Sequence, residues 1–132
     1  MKLNWTSAVS ALVRARLGAL LDSEQEDTDN QRRAARATNA LPVYFGWTGD
    51  LCLTAEGAVL FYDEQSEQVR PETDDRWIIA AALSAVEKYP ELRIILPQQP
   101  STAATCATCS GTGRLLDTSV HCGTCFGLGW VS

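Results

Sequence analysis

Apolar residues near the amino terminus recur at three- and four-residue steps. Val9, Leu12, Val13, Leu17, Leu20 and Leu21 share one face, and Arg14 and Arg16 fall opposite. This period predicts an amphipathic helix over about Thr6 to Leu21. Ser23 to Asn30 is polar and acidic and reads as a loop. Thr28 and Gln31 fit a capping box, in which the Thr hydroxyl accepts from a backbone N–H and Gln31 reaches back. A shorter helix follows over about Asp29 to Thr38, and Leu41-Pro42 closes it, because proline disfavours helix in the residue before it.

The pattern then changes period. Val43-Tyr44-Phe45 is β-branched and aromatic, and Gly46 to Asp50 is rich in turn formers. Leu51 to Thr54 and Ala58 to Tyr62 read as strands. Ala55-Glu56-Gly57 between them is a hairpin loop, with Gly57 suited to a positive φ. The expectation is a small antiparallel meander with Cys52 inside one strand. Asp63 to Glu72 reads as an acidic loop. Thr73 or Asp74 can cap a third helix over Asp74 to Lys88. Its first half, Trp77 to Leu83, is apolar on all sides and therefore expected to be buried. Pro90 stops it, and Leu92 to Leu96 is either a last strand or a final turn. Pro97 to Ala104 reads as a semi-stiff linker. The predicted architecture is α+β: a body over residues 1–97, a linker over 98–104 and a small module over 105–132.

Composition narrows the classes. At 132 residues the chain has room for one core and an appendage. The longest uninterrupted apolar run, Trp77 to Leu83, is seven residues, against about 20 for a membrane helix. With no visible signal peptide, a cytoplasmic location is expected. The net charge of −5 is uneven: residues 50–75 carry eight acids and only Arg70, a local charge of −7. A general binder of nucleic acid or anionic membrane would usually be basic. Asp50, Glu56, Asp63, Glu64, Glu67 and Glu72 are instead candidates for meeting a basic protein partner, where complementary charge speeds encounter.

The sharpest chemistry lies in the tail. Cys106-Ala-Thr-Cys109-Ser-Gly111-Thr-Gly113 aligns with Cys122-Gly-Thr-Cys125-Phe-Gly127-Leu-Gly129 at an offset of 16. Two thiolates three residues apart on a tight turn can ligate one ion. Backbone N–H groups of that turn point at the first sulfur, and the Gly two residues after the second Cys allows the left-handed conformation that completes it. Two such knuckles place four sulfurs in a tetrahedron, so Cys106, Cys109, Cys122 and Cys125 are expected to hold one structural Zn²⁺. Iron is the main alternative for a four-thiolate set. The residues between Cys109 and Cys122 suit a two-stranded excursion that returns the second knuckle to the first. Phe126 and Trp130 either pack the module onto the body or form a binding surface.

The tail resembles the cysteine-rich zinc domain of DnaJ-type co-chaperones, built from four such repeats around two zinc ions. With two repeats it is similar to the one-zinc module of anti-TRAP proteins. That resemblance implies the ligand set but no chaperone role: a J-domain requires a His-Pro-Asp triplet, and the only histidine here is His121, followed by Cys122. The hairpin over Leu51 to Tyr62, the acidic loop and the apolar helix are similar to the SUKH superfamily of bacterial immunity proteins, which implies an α+β fold and a toxin-neutralising role.

No catalytic set is evident. His121 reads as a hairpin residue, Cys52 as a small buried hydrophobe, and Asp63-Glu64 and Asp74-Asp75 as solvated or capping acids. No phosphate loop or nucleotide fingerprint is present. The expectation is a non-enzymatic zinc protein that binds another protein, in its most specific form an immunity-type inhibitor of a toxin or effector. The alternative is a DnaJ-like adaptor or a small zinc-finger regulator binding RNA or a regulatory protein. Nucleic acid is disfavoured because four thiolates plus Zn²⁺ add −2 to a formally neutral tail.

Overall fold

The computed structural model describes residues 3–23, 29–46, 48–97, 99, 101–113, 122 and 124–131. Helix α1 spans Ser7–Leu21, and the hydroxyl of its N-cap Thr6 accepts from the Val9 N–H at 3.2 Å. Val9, Val13, Leu17 and Leu20 form its buried stripe, as the spacing requires. Helix α2 spans Asp29–Thr38. Asn39 follows it with φ of 50°, a left-handed residue of the kind that ends helices. The Thr28 capping box lies outside the described residues.

Strands β1 (Leu41–Phe45), β2 (Gly49–Leu53), β3 (Val59–Asp63) and β4 (Val69–Pro71) form an antiparallel sheet in sequential order. Leu51 sits between Tyr44 and Phe61, and Cys52 between Pro42 and Leu60. This alternation gives the sheet two buried faces. One brings Cys52 and Tyr62 against Ala34 of α2 and Ala40. The other brings Leu41, Leu51, Leu53 and Val59 into a core with Val13 of α1 and Ala81, Ala82 and Ala85 of helix α3 (Asp75–Lys88). The β2–β3 hairpin turns at Gly57, φ 91°. A Cβ there would lie 2.9 Å from the Trp5 ring, and the Trp5 indole donates to the Ala55 carbonyl at 2.9 Å. The glycine thus lets the segment before α1 clamp onto the hairpin.

Three expectations are corrected in detail, and one open alternative is resolved. The stretch read as the loop Asp63 to Glu72 contains β4. Its three residues are all exposed, and Pro71 is tolerated because this is an edge strand. The turn-former run Gly46 to Asp50 already contributes Gly49 and Asp50 to β2. Leu92 to Leu96 belongs to the turn alternative: Pro90–Ile95 is a 3-10 helix that buries Leu92 and Ile95. Trp77 departs from the all-buried reading of its helix and is 39% exposed, while Ile79 to Ala82 are buried. Among the described residues, no helix is long and apolar enough to cross a membrane.

Leu53 is fully buried at the centre of the larger core and Ile94 is half exposed. Leu53→Ala should cost about 2–5 kcal/mol in urea unfolding, and Ile94→Ala less than about 1 kcal/mol. Equal effects would misplace the core.

Candidate metal centre

The two cysteine repeats fold as two knuckles clasped at their base by a two-stranded sheet, β5 (Ala104–Thr105) against β6 (Trp130–Val131). Ala104, read as the end of the linker, is thus paired with Val131. The excursion expected between the knuckles, with Arg114 and His121, lies outside the described residues. The sequence repeat becomes a local pseudo-twofold. The Cys106 N–H donates to the Gly129 carbonyl at 3.0 Å, and the Cys122 N–H donates to the Gly113 carbonyl at 2.9 Å. The equivalent Thr124 and Thr108 hydroxyls meet at 3.1 Å.

The first glycine of each repeat has the expected role. Gly111 (φ 83°) and Gly127 (φ 99°) are left-handed, each preceded by a left-handed non-glycine, Ser110 and Phe126. The second glycine does something spacing alone did not disclose. A Cβ on Gly113 would lie 2.4 Å from the Gly127 carbonyl oxygen, and one on Gly129 would lie 2.6 Å from that of Gly111. The knuckles therefore touch backbone to backbone, which only glycine allows. The signal was in the sequence, as the last position of both repeats.

This contact brings all four sulfurs together. Cys106, Cys109, Cys122 and Cys125 are buried, and their Sγ atoms lie within 4.8 Å of one another. Cys106 and Cys122 are separated by 3.9 Å, and Cys109 and Cys125 by 3.6 Å. Such a cluster can hold a metal ion. The second sulfur of each knuckle is also solvated by the chain: Gly113 N–H donates to Cys109 Sγ at 3.3 Å and Gly129 N–H to Cys125 Sγ at 3.2 Å. N–H groups were expected at the first sulfur, and Cys122 has them from Cys125 and Thr124, which lower its pKa. Burial opposes ionisation of Cys109, but the Gly113 N–H and the neighbouring thiols outweigh it and draw this thiol down to about 6. Burial pushes Cys125 up to about 11, and the adjoining sulfurs Cys109 and Cys106 add to the rise. The cluster is thus polarised toward thiolate at some positions, while full ionisation needs a cation among the sulfurs.

The acidic candidates do not converge on a site. Glu56 is exposed at the β2–β3 hairpin, and Glu64 and Glu67 are exposed in the β3–β4 turn. Asp63 organises that turn, its Oδ1 accepting from the Gln65 and Ser66 N–H groups at 2.9 and 3.2 Å. Glu72 is half-buried and accepts from the Asp74 N–H at 3.0 Å. Asp50 corrects the surface expectation. It is 2% exposed, because its position on β2 turns it toward Tyr62 and α2 rather than to solvent. Burial, then repulsion from and a hydrogen bond with Glu64, raise it to about 6, against the pull of Lys88. Lys88 is itself lowered by burial; its Nζ donates to Gln31 Oε1 at 3.4 Å and lies 4.5 Å from the Phe45 ring centre. Cys52 is fully buried, and burial pushes its thiol up to about 12, which suits an inert core residue.

Gly113→Ala should lower metal affinity at least about tenfold in a chelator competition, since a left-handed non-glycine residue costs about 1–2 kcal/mol before any clash. Thr108→Ala, exposed on the same knuckle, should stay within about twofold; equal losses would contradict the backbone contact. For Asp50 the folded pKa of about 6 exceeds the ordinary 3.8. The folded state therefore binds this proton more tightly, and the cost of the ionised carboxylate is relieved as pH falls from about 6 toward 4. Asp50→Asn should gain about 1 kcal/mol at pH 7.5 after allowance for solvent screening, and the difference from the parent should vanish near pH 4. A difference independent of pH in urea unfolding would reject the assignment.

Comparison with protein-family models, with curated proteins and with solved structures yields no match.

Proposed function

We propose that the cysteine cluster holds one structural Zn²⁺ per chain and that the protein acts without catalysis, by binding another protein. One observation carries the metal reading: four buried sulfurs from two knuckles, with separations of 3.6 and 3.9 Å between paired cysteines. A zinc tetrahedron with Zn–S of about 2.3 Å has S–S edges of about 3.8 Å. The four donors are all thiols, a set that suits zinc and leaves no protein-free position for a reacting water. When bound, the ion neutralises the thiolates and cross-links the two knuckles. The resemblance of this module to the one-zinc module of anti-TRAP proteins, and of its repeats to those of the two-zinc DnaJ-type domain, is in keeping with that role.

The partner reading is supported by charge. Residues 50–75 carry a net −7, and Glu56, Glu64 and Glu67 are exposed on the hairpin ends of the sheet. A basic protein is the natural counterpart. In its most specific form this is an immunity-type inhibitor that masks a basic toxin or effector, in line with the α+β similarity to the SUKH superfamily.

Metal analysis of the purified chain should give about one zinc, and Cys109→Ser should remove most of it. Unchanged zinc in that variant would sink the ligand set. Tagged protein from its own host should retain a stoichiometric protein partner that dissociates in high salt. Recovery of the chain alone, or with RNA, would reject the protein-binding reading.

A further inference from the structure

Every thiol of this chain except Cys52 belongs to the metal cluster, and all five are free of disulfides. Within the cluster, sulfurs from opposite knuckles face each other, Cys109 and Cys125 at 3.6 Å and Cys106 and Cys122 at 3.9 Å. The contacts that set this facing do not involve sulfur. The backbone bonds from Cys106 to Gly129 and from Cys122 to Gly113, the bond between Thr124 and Thr108, and the glycine contacts all run from one knuckle to the other. They decide which sulfur stands opposite which.

We infer that the cluster is a peroxide-sensitive clasp: hydrogen peroxide converts its four thiolates into two disulfides between the knuckles, Cys109–Cys125 first and Cys106–Cys122 second, and so opens the metal site. The inference rests on the four-thiolate reading above. A disulfide is about 2.05 Å long, so each facing pair has to close by less than about 2 Å. Cys109 is the entry point. It is 7% exposed, against 3% for Cys125 and 0% for Cys106 and Cys122. Its thiolate attacks the peroxide O–O bond and becomes a sulfenic acid as hydroxide leaves. The Cys125 thiolate then attacks that sulfur, and the S–S bond forms as a second hydroxide leaves. Two thiolates have lost two electrons, and hydrogen peroxide has become two hydroxide ions. Only Cys106 and Cys122 then remain as donors, too few to close a tetrahedron, and a second peroxide oxidises them in the same way. Bonds across 16 positions tie the knuckles together in place of the ion. Cys52 takes no part, because it is fully buried in the body. A dithiol reverses the change by thiol–disulfide exchange and is itself oxidised to a disulfide.

The sequence makes the pairing readable. Arg114 is the sole lysine or arginine between the knuckles, so trypsin releases Cys106 and Cys109 on residues 94–114 and Cys122 and Cys125 on residues 115–132. The full zinc-loaded chain is treated with hydrogen peroxide beside a chromogenic zinc chelator, blocked with iodoacetamide and digested for mass spectrometry. Zinc should be released in step with oxidation, and the two peptides should appear as one disulfide-linked pair. Fragmentation of the first product should join Cys109 to Cys125. Cys52 should be oxidised at least about tenfold more slowly. Dithiothreitol followed by zinc should restore the metal content. Two separate peptides, each with its own internal disulfide, overturn the inference. So do sulfinic acids in place of disulfides, and so does zinc release that is equally fast without peroxide. The outcomes also separate the two levels of the account. A zinc-loaded chain whose knuckles oxidise internally keeps the metal reading and loses the clasp. A chain isolated without zinc whose peptides still become linked loses the metal reading, while the pairing between knuckles stands.

Discussion

Four sulfur atoms buried within 4.8 Å of one another are the constraint on which the C-terminal module depends. Among its described residues the sheet is two residues per strand, and the hydrophobic cluster is the four cysteines with Val131 packed beside them. Mutual repulsion of four thiolates in a dry cluster would drive the knuckles apart. A divalent cation turns that repulsion into the main attraction, and for structural zinc sites binding energy is folding energy. The left-handed glycines, the N–H groups aimed at sulfur and the glycine-to-glycine backbone contact all bring the sulfurs to this separation.

The body obeys a different constraint. A four-stranded sheet with both faces covered leaves its hairpin ends and its edge strand at the surface. The acidic residues collect at those ends, where turns need Asp and Gly and solvent accepts charge. Asp50 is the exception: it lies in β2, every residue of which is buried, and burial raises its proton affinity. Helix α3 begins at Asp75, and Trp77 on its first turn does not follow Ile79 and Ala80 into the core.

Features governed by period or by short-range stereochemistry were legible in the sequence. The α1 stripe, the Asp74 cap of α3, the Gly57 hairpin and the left-handed Gly111 and Gly127 all follow from local rules. So does the grouping of the four cysteines, because an eight-residue repeat at a fixed offset has few other physical causes. Features that depend on a distant partner were not. Strand β4 is three exposed residues ending in proline, and only its pairing with β3 makes it a strand. The burial of Asp50 depends on its pairing in β2 opposite Tyr62 of β3, which no composition reveals. The Ala104–Val131 pairing joins the two ends of the module. The contact of Tyr44 in β1 with Trp77 in α3 joins residues whose sequence positions give no hint of proximity.

The central claim is that all four cysteines bind one zinc ion and nothing else does. X-ray absorption at the zinc edge of the purified protein measures this directly. The account predicts a single shell of four sulfurs at about 2.3 Å with no nitrogen or oxygen neighbour. A mixed shell, fewer than four sulfurs, or a metal-free protein that keeps the C-terminal module folded would contradict it.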